Sequence, residues 1–160
     1  LILHEAPVDT LHFKLIQKSS AADIGIWTAI AGKRCVRELS IESSPSTTPV
    51  TLSRSLYIGC RMLVTLKLKS VTLVDVSSLP CFPTLKTLWL IFVNYPGDEF
   101  VKRLLSSCHV LQHLVVGRLH NDNVTVFTVI VSSLKTLRLN GISRKVKDGA
   151  HGFVIDAPLL

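Results

Sequence analysis

Apolar positions recur along this chain in a fixed local pattern. Six segments carry an apolar residue, then a second three positions later, then a third two positions after that. They are Val8, Leu11 and Phe13; Val36, Leu39 and Ile41; Leu63, Leu66 and Leu68; Leu85, Leu88 and Leu90; Leu111, Leu114 and Val116; and Leu134, Leu137 and Leu139. The second positions are spaced by 28, 27, 22, 26 and 23 residues, and Leu159-Leu160 is expected to begin a seventh copy. The last two apolar residues of each copy lie two apart, so they share one face of an extended strand. A single strand cannot bury that face, but copies stacked side by side can.

A period of roughly 20–29 residues with this pattern is the signature of a leucine-rich repeat solenoid. The predicted fold is therefore α/β. A curved parallel β-sheet is formed by residues 11–13, 39–41, 66–68, 88–90, 114–116 and 137–139, with short helices and irregular segments on the convex side. All 160 residues are read as one leucine-rich repeat domain of about six repeats, and as a piece of a longer protein. The Asn that many such repeats place three positions after the third apolar residue is absent. Ile16, Ser44, Val71, Val93, Leu119 and Ile142 stand there, so no stacked Asn ladder is expected.

The segments between the repeats differ. Residues 22–31 predict a short helix with Ile26, Trp27 and Ile30 on its packed side. Asp98–Ser106 predicts another, set off by Pro96-Gly97, capped by Asp98, and carrying Phe100, Val101, Leu104 and Leu105 as its apolar stripe. Residues 52–60 predict a further helical turn. Residues 71–76 and 124–131 predict convex-side strands, and 42–49 a loop by composition.

Composition narrows the function class. Hydrophobic residues make up 48% and charged residues 18%, which excludes a disordered chain. No apolar run approaches the ~20 residues of a membrane helix, so no membrane partner is expected. The net charge is +7, but Lys and Arg are spread along the chain. The short cluster Arg144-Lys145-Val146-Lys147 reads as solvated surface, and nucleic-acid binding is disfavoured. Cys35, Cys60, Cys81 and Cys108 are too far apart for a CxxC pair, and the adequate core makes them small buried hydrophobes with reduced thiols. An intracellular setting, cytoplasm or nucleus, follows.

No catalytic, cofactor or metal constellation appears. His109 and His113 lie four apart, but one falls in a strand and the other in the turn before it. Asp98-Glu99 is a helix N-terminus, and Asn123-Val124-Thr125 is a chance glycosylation sequon. Cys60 and Cys108 hold equivalent repeat positions, which argues for packing. The informative residues face outward between the core positions. One row reads His12, Ser40, Lys67, Trp89, Val115, Arg138, and the flanking row reads Thr10, Glu38, Thr65, Thr87, His113, Thr136. Both rows would line a concave sheet, and an aromatic ring among cations is the composition of an interface hot spot. The candidate partner-binding residues are Lys67, Trp89, Val115, His113 and Arg138.

Several segments resemble plant F-box/FBD/LRR proteins: Ala31-Gly32-Lys33-Arg34-Cys35-Val36-Arg37-Glu38-Leu39, Cys60-Arg61-Met62-Leu63-Val64-Thr65-Leu66-Lys67-Leu68, Phe82-Pro83-Thr84-Leu85-Lys86-Thr87-Leu88, Tyr95-Pro96-Gly97-Asp98-Glu99-Phe100, Leu104-Leu105-Ser106-Ser107-Cys108-His109-Val110-Leu111 and Phe153-Val154-Ile155-Asp156-Ala157-Pro158. In that family an N-terminal F-box docks onto a Skp-type adaptor of a cullin-type ubiquitin ligase, the repeats select the protein to be ubiquitinated, and an FBD domain follows. Neither the F-box nor the FBD segment is among these residues. The resemblance thus implies a protein–protein interaction module, the substrate-recognition repeats of a ligase receptor, with a protein substrate on the concave face. It implies a Skp-type adaptor only where the parent chain carries an F-box. It implies no enzyme, since other subunits transfer ubiquitin. The alternatives are a non-ligase interaction scaffold or a degenerate F-box-like product.

Overall fold

A computed structural model describes residues 7–16, 20–44, 49–78, 80–140 and 152–160. In chain order the elements are β1 (Thr10–Leu15), α1 (Ala21–Lys33), β2 (Glu38–Ser43), β3 (Val50–Thr51), α2 (Ser55–Gly59), β4 (Thr65–Lys69), β5 (Val71–Thr72), β6 (Thr87–Ile91), α3 (Asp98–Ser106), β7 (His113–Gly117), β8 (Val126–Ile130), β9 (Thr136–Asn140) and β10 (Gly152–Asp156).

The six repeat segments form one parallel sheet in the order β1-β2-β4-β6-β7-β9. Registry is set by the leucines: Leu11 faces Leu39, which faces Leu66, then Leu88, Leu114 and Leu137. A one-residue slip would turn every one of them to solvent. One backbone contact recurs at each step. The amide of the first strand residue donates to the carbonyl two positions before the preceding strand's first core leucine: Glu38 to Asp9, Thr65 to Arg37, Thr87 to Val64, His113 to Lys86 and Thr136 to Gln112, at 2.9–3.0 Å.

Leu39, Leu66, Leu88 and Leu114 are buried. Leu137 and Leu139 are only partly so, because β9 has no further strand beside it among the described residues. Leu160 donates its amide to Ala157 as Leu134 does to Val131 and Leu111 to Cys108. It therefore stands where a seventh repeat would place its first apolar residue.

The convex side is assembled piecemeal. Strands β3 and β5 pair in parallel, a bridge from Thr72 to Asn94 continues that ladder, and β8 pairs with β10. Of the expected 71–76 strand only Val71–Thr72 forms, while Leu73 and Val76 pack into the core as coil. The 124–131 strand is real over Val126–Ile130. Within the expected 42–49 loop, Glu42 and Ser43 belong to β2, and residues 45–48 lie outside the described ones, as do Ile142 and the basic cluster at 144–147. At the positions that lack Asn, Val71 and Val93 are buried core residues.

Helix α1 is where expected, but a different face packs. Ile24, Thr28 and Ala31 are buried, whereas Ile26 and Ile30 are exposed, and Trp27 stacks on Phe13 with ring centroids 5.2 Å apart. The reason is steric. The α1–α2 approach is so close that a Cβ on Gly32 would lie 2.8 Å from the Gly59 carbonyl oxygen. Only the face of small residues fits there, and Thr28 on that face donates to the carbonyls of Ile24 and Gly25 and meets the Ser53 and Ser55 hydroxyls. Ser20 and Asp23 form a reciprocal capping box at its start.

Helix α3 spans Asp98–Ser106 with Phe100, Val101, Leu104 and Leu105 buried. Its N-cap is Gly97, and Asp98 does not cap it. The Asp98 carboxylate instead accepts the amides of Thr125 (2.8 Å) and Val126 (3.0 Å), tying α3 to β8. Burial alone would raise its pKa, but those two amides, together with the positive charges of Arg118 and Lys102, outweigh it and the carboxyl titrates below its ordinary value. Arg103 reaches back to Asp75 and the Val76 carbonyl. Among the described residues no helix is long and apolar enough to cross a membrane.

Candidate partner-binding face

Alternation along the strands decides what the outer face of the large sheet presents. With Leu88 and Leu90 inward, Trp89 points out and is 41% exposed. Its register partners are Lys67 on β4 and Val115 on β7, and Val115 faces Arg138 on β9. Adjacent strands are about 4.8 Å apart, so these four residues form one row across the sheet. Lys67, Trp89, Val115 and Arg138, with His12, Ser40 and Ile91, line a hollow of about 460 Å³. The remaining candidate, His113, lies one row over, and its Nδ1 is 2.7 Å from the Thr136 hydroxyl. It is exposed but does not line the hollow.

The charges are arranged unevenly. Lys67 Nζ sits 5.1 Å from the centre of the Trp89 ring and 3.1 Å from Glu38. Lys69 donates to Glu42 at 2.6 Å. That hydrogen bond, with Lys14 and His12 nearby, outweighs desolvation and lowers the Glu42 pKa. Both carboxylates of this face therefore stand on β2, beside the lysines of β4. Toward β6, β7 and β9 the face carries Trp89, Ile91, Val115 and Arg138 and no carboxylate. Ile91 closes over Gly117, where a Cβ would come 3.3 Å from its Cδ1. The floor there is thus apolar and continuous.

Other residues that drew attention in the sequence are placed elsewhere. His109 is in the turn before β7, and no group of three His, Cys, Asp or Glu side chains among the described residues could hold a metal. Cys60 and Cys108 are buried, donating to the Thr28 and Leu104 carbonyls. Burial pushes their thiols up, to about 11 and about 12. Asn123 is exposed with φ 66°, a left-handed conformation that Asn tolerates.

One polar group was invisible in the sequence. Arg118 is buried at 8% exposure and Asp122 is fully buried. Their side chains pair at 2.8 and 2.9 Å, and the guanidinium also lies over the Phe127 and Phe153 rings. The i, i+4 spacing suggests a helical surface pair, yet the residues lie in a convex loop. Asp122 there also accepts the Val124 amide, so the pair organises the entry to β8.

The family model described as "FBD-associated F-box protein At5g56370, LRR repeats" matches residues 24–160. All of the chain aligns at 56% identity with 40% of "Putative FBD-associated F-box protein At5g50270" of Arabidopsis thaliana. It aligns over 99% of its length at 53% identity with 39% of "Probable FBD-associated F-box protein At1g32375", and over all of its length at 42% with 38% of "F-box/FBD/LRR-repeat protein At5g56420", both from the same plant. The chain thus spans about 40% of the length of these relatives. No solved structure matches. The chain belongs to the family of plant FBD-associated F-box proteins, as their leucine-rich repeat region.

Proposed function

We propose that these repeats are the substrate-recognition surface of an F-box subunit of a cullin-type ubiquitin ligase, binding a protein on the concave sheet and catalysing nothing. The observation that carries the reading is the half-exposed Trp89, seated between Lys67 and Val115 on the floor of the hollow. A rigid aromatic ring on apolar ground with a cation beside it is the usual centre of a protein interface. Nucleic acid suits the face poorly, because two carboxylates, Glu38 and Glu42, stand among its few cations and would repel a phosphate backbone. On this reading the protein acts in the cytoplasm or nucleus. A Skp-type adaptor binds an F-box elsewhere in the full-length protein.

The test is capture from plant extract with the full-length protein and its Trp89→Ala variant. Loss of a hot-spot ring is expected to weaken the captured partner by about thirtyfold or more while adaptor binding is unchanged. Equal recovery of the same partners by a folded variant places recognition elsewhere. A full-length protein that does not co-purify with a Skp-type adaptor is a scaffold outside the ligase.

A further inference from the structure

The spacing of charge and apolar surface on the concave face points to the chemistry of the segment it takes; the inference rests on the concave reading above. The outward rows of the sheet carry Lys14, Lys67, Lys69 and Arg138 against Glu38 and Glu42. Four cations thus face two carboxylates. Among the described residues Arg138 makes no ion pair, and it is exposed. Lys67 offers three donors and spends one on Glu38. Its ammonium leans over Trp89, toward the apolar floor. The pattern across the strands is therefore cation, aromatic ring, aliphatic side chain, cation.

Lys67 and Arg138 stand on β4 and β9, three strand spacings apart in one row. At about 4.8 Å each, that is about 14 Å. An extended peptide advances about 3.4 Å per residue, and its residues i, i+2 and i+4 share one face. Four residues therefore span the same distance, with the middle one over Trp89 and Val115. We propose that the concave face binds an extended acidic segment of a partner protein, running across the strands, with carboxylates at positions i and i+4 and a large apolar side chain at i+2. The carboxylates meet Lys67 and Arg138, and the apolar side chain covers Trp89, Ile91 and Val115.

The probe is a fluorescein-labelled peptide, Gly-Glu-Ser-Phe-Ser-Glu-Gly, titrated with the full chain by fluorescence anisotropy at low salt. Replacing both Glu by Gln is expected to weaken binding about tenfold, from two partly exposed charge contacts. Shortening the spacing to Glu-Phe-Glu is expected to do the same. Arg138→Glu should weaken the parent peptide and restore one of the two singly reversed peptides, Lys-Ser-Phe-Ser-Glu or Glu-Ser-Phe-Ser-Lys. All substituted side chains face solvent, and circular dichroism verifies the fold. Binding that Trp89→Ala removes but the Gln peptide retains overturns this inference and leaves the concave reading standing. Binding that neither change moves overturns both. No binding of the parent peptide, with partner capture by the full-length protein still dependent on Trp89, overturns the acidic motif alone.

Discussion

At the scale of single residues, side-chain placement separates packing roles from surface roles. Cys60 and Cys108 hold equivalent positions before the first leucine of their repeats, both buried at helix ends. Their thiols, raised to about 11 and about 12 by desolvation, stay protonated at neutral pH, and the thiolate is the reactive form. The expectation that all four cysteines are buried fails at the other two, since Cys35 is exposed and Cys81 intermediate. A thiol-reactive dye at neutral pH is therefore expected to label Cys35 first and Cys81 more slowly. Cys60 and Cys108 should be labelled only on unfolding, with mass spectrometry of the digested chain as the check. Prompt labelling of Cys108 in the native protein would show that the turn before β7 opens. Position and residue type made this packing role legible in the sequence. The buried Arg118–Asp122 pair was not, because its meaning depends on which loop carries it inside.

At the scale of elements, the α1–α2 contact shows how backbone approach overrides hydrophobic pattern. Helix α1 is apolar on more than one side, so its sequence suggested that the bulky Ile26 and Ile30 would pack. The observed contact uses Gly25, Thr28 and Gly32, whose small side chains let the helices close. Two glycines of the same helix are then expected to respond oppositely to Ala. At Gly32 a Cβ lies 2.8 Å from backbone oxygen, so Gly32→Ala must separate the helices and should cost about 1–3 kcal/mol. At Gly25 the nearest atom, Ser53 Oγ, is 3.6 Å away, an ordinary contact. Gly25→Ala should stabilise by up to about 1 kcal/mol through helix propensity. Chemical denaturation of the two variants tests this, and destabilisation of equal size at both sites would refute the close-contact account.

At the scale of the whole molecule, stability is that of a stack. Each strand of the large sheet pairs with its neighbours in the repeat order, so most of its support is local. Strands β2, β4, β6 and β7 are paired on both sides, whereas β1 and β9 are paired on one side among the described residues. Leu11, Leu137 and Leu139 are accordingly only partly buried. Native-state hydrogen exchange is expected to find the slowest amides in β4 and β6, at Leu66, Leu68, Leu88 and Leu90, with protection falling toward β1 and β9. Uniform protection across all six strands would indicate all-or-none opening instead. Trp89 lies in the best-supported part of the stack, so the centre of the proposed site is held most firmly, while Arg138 stands on the edge strand β9.

The repeat period and the alternation within each copy determined the fold class, the six strands, their register and the identity of the outward rows. All of these follow from local geometry that recurs unchanged. Helix α3 was equally legible, since its stripe and its Pro-Gly break are local signals. The tertiary structure alone decided the buried face of α1, the use of Asp98 as an anchor for β8 rather than a cap, and the burial of Arg118 with Asp122. It also decided the side of the sheet on which Glu38 and Glu42 neutralise the lysines. Each of these depends on which segments meet across repeats, where insertions of unequal length set distances that no pattern within one copy encodes.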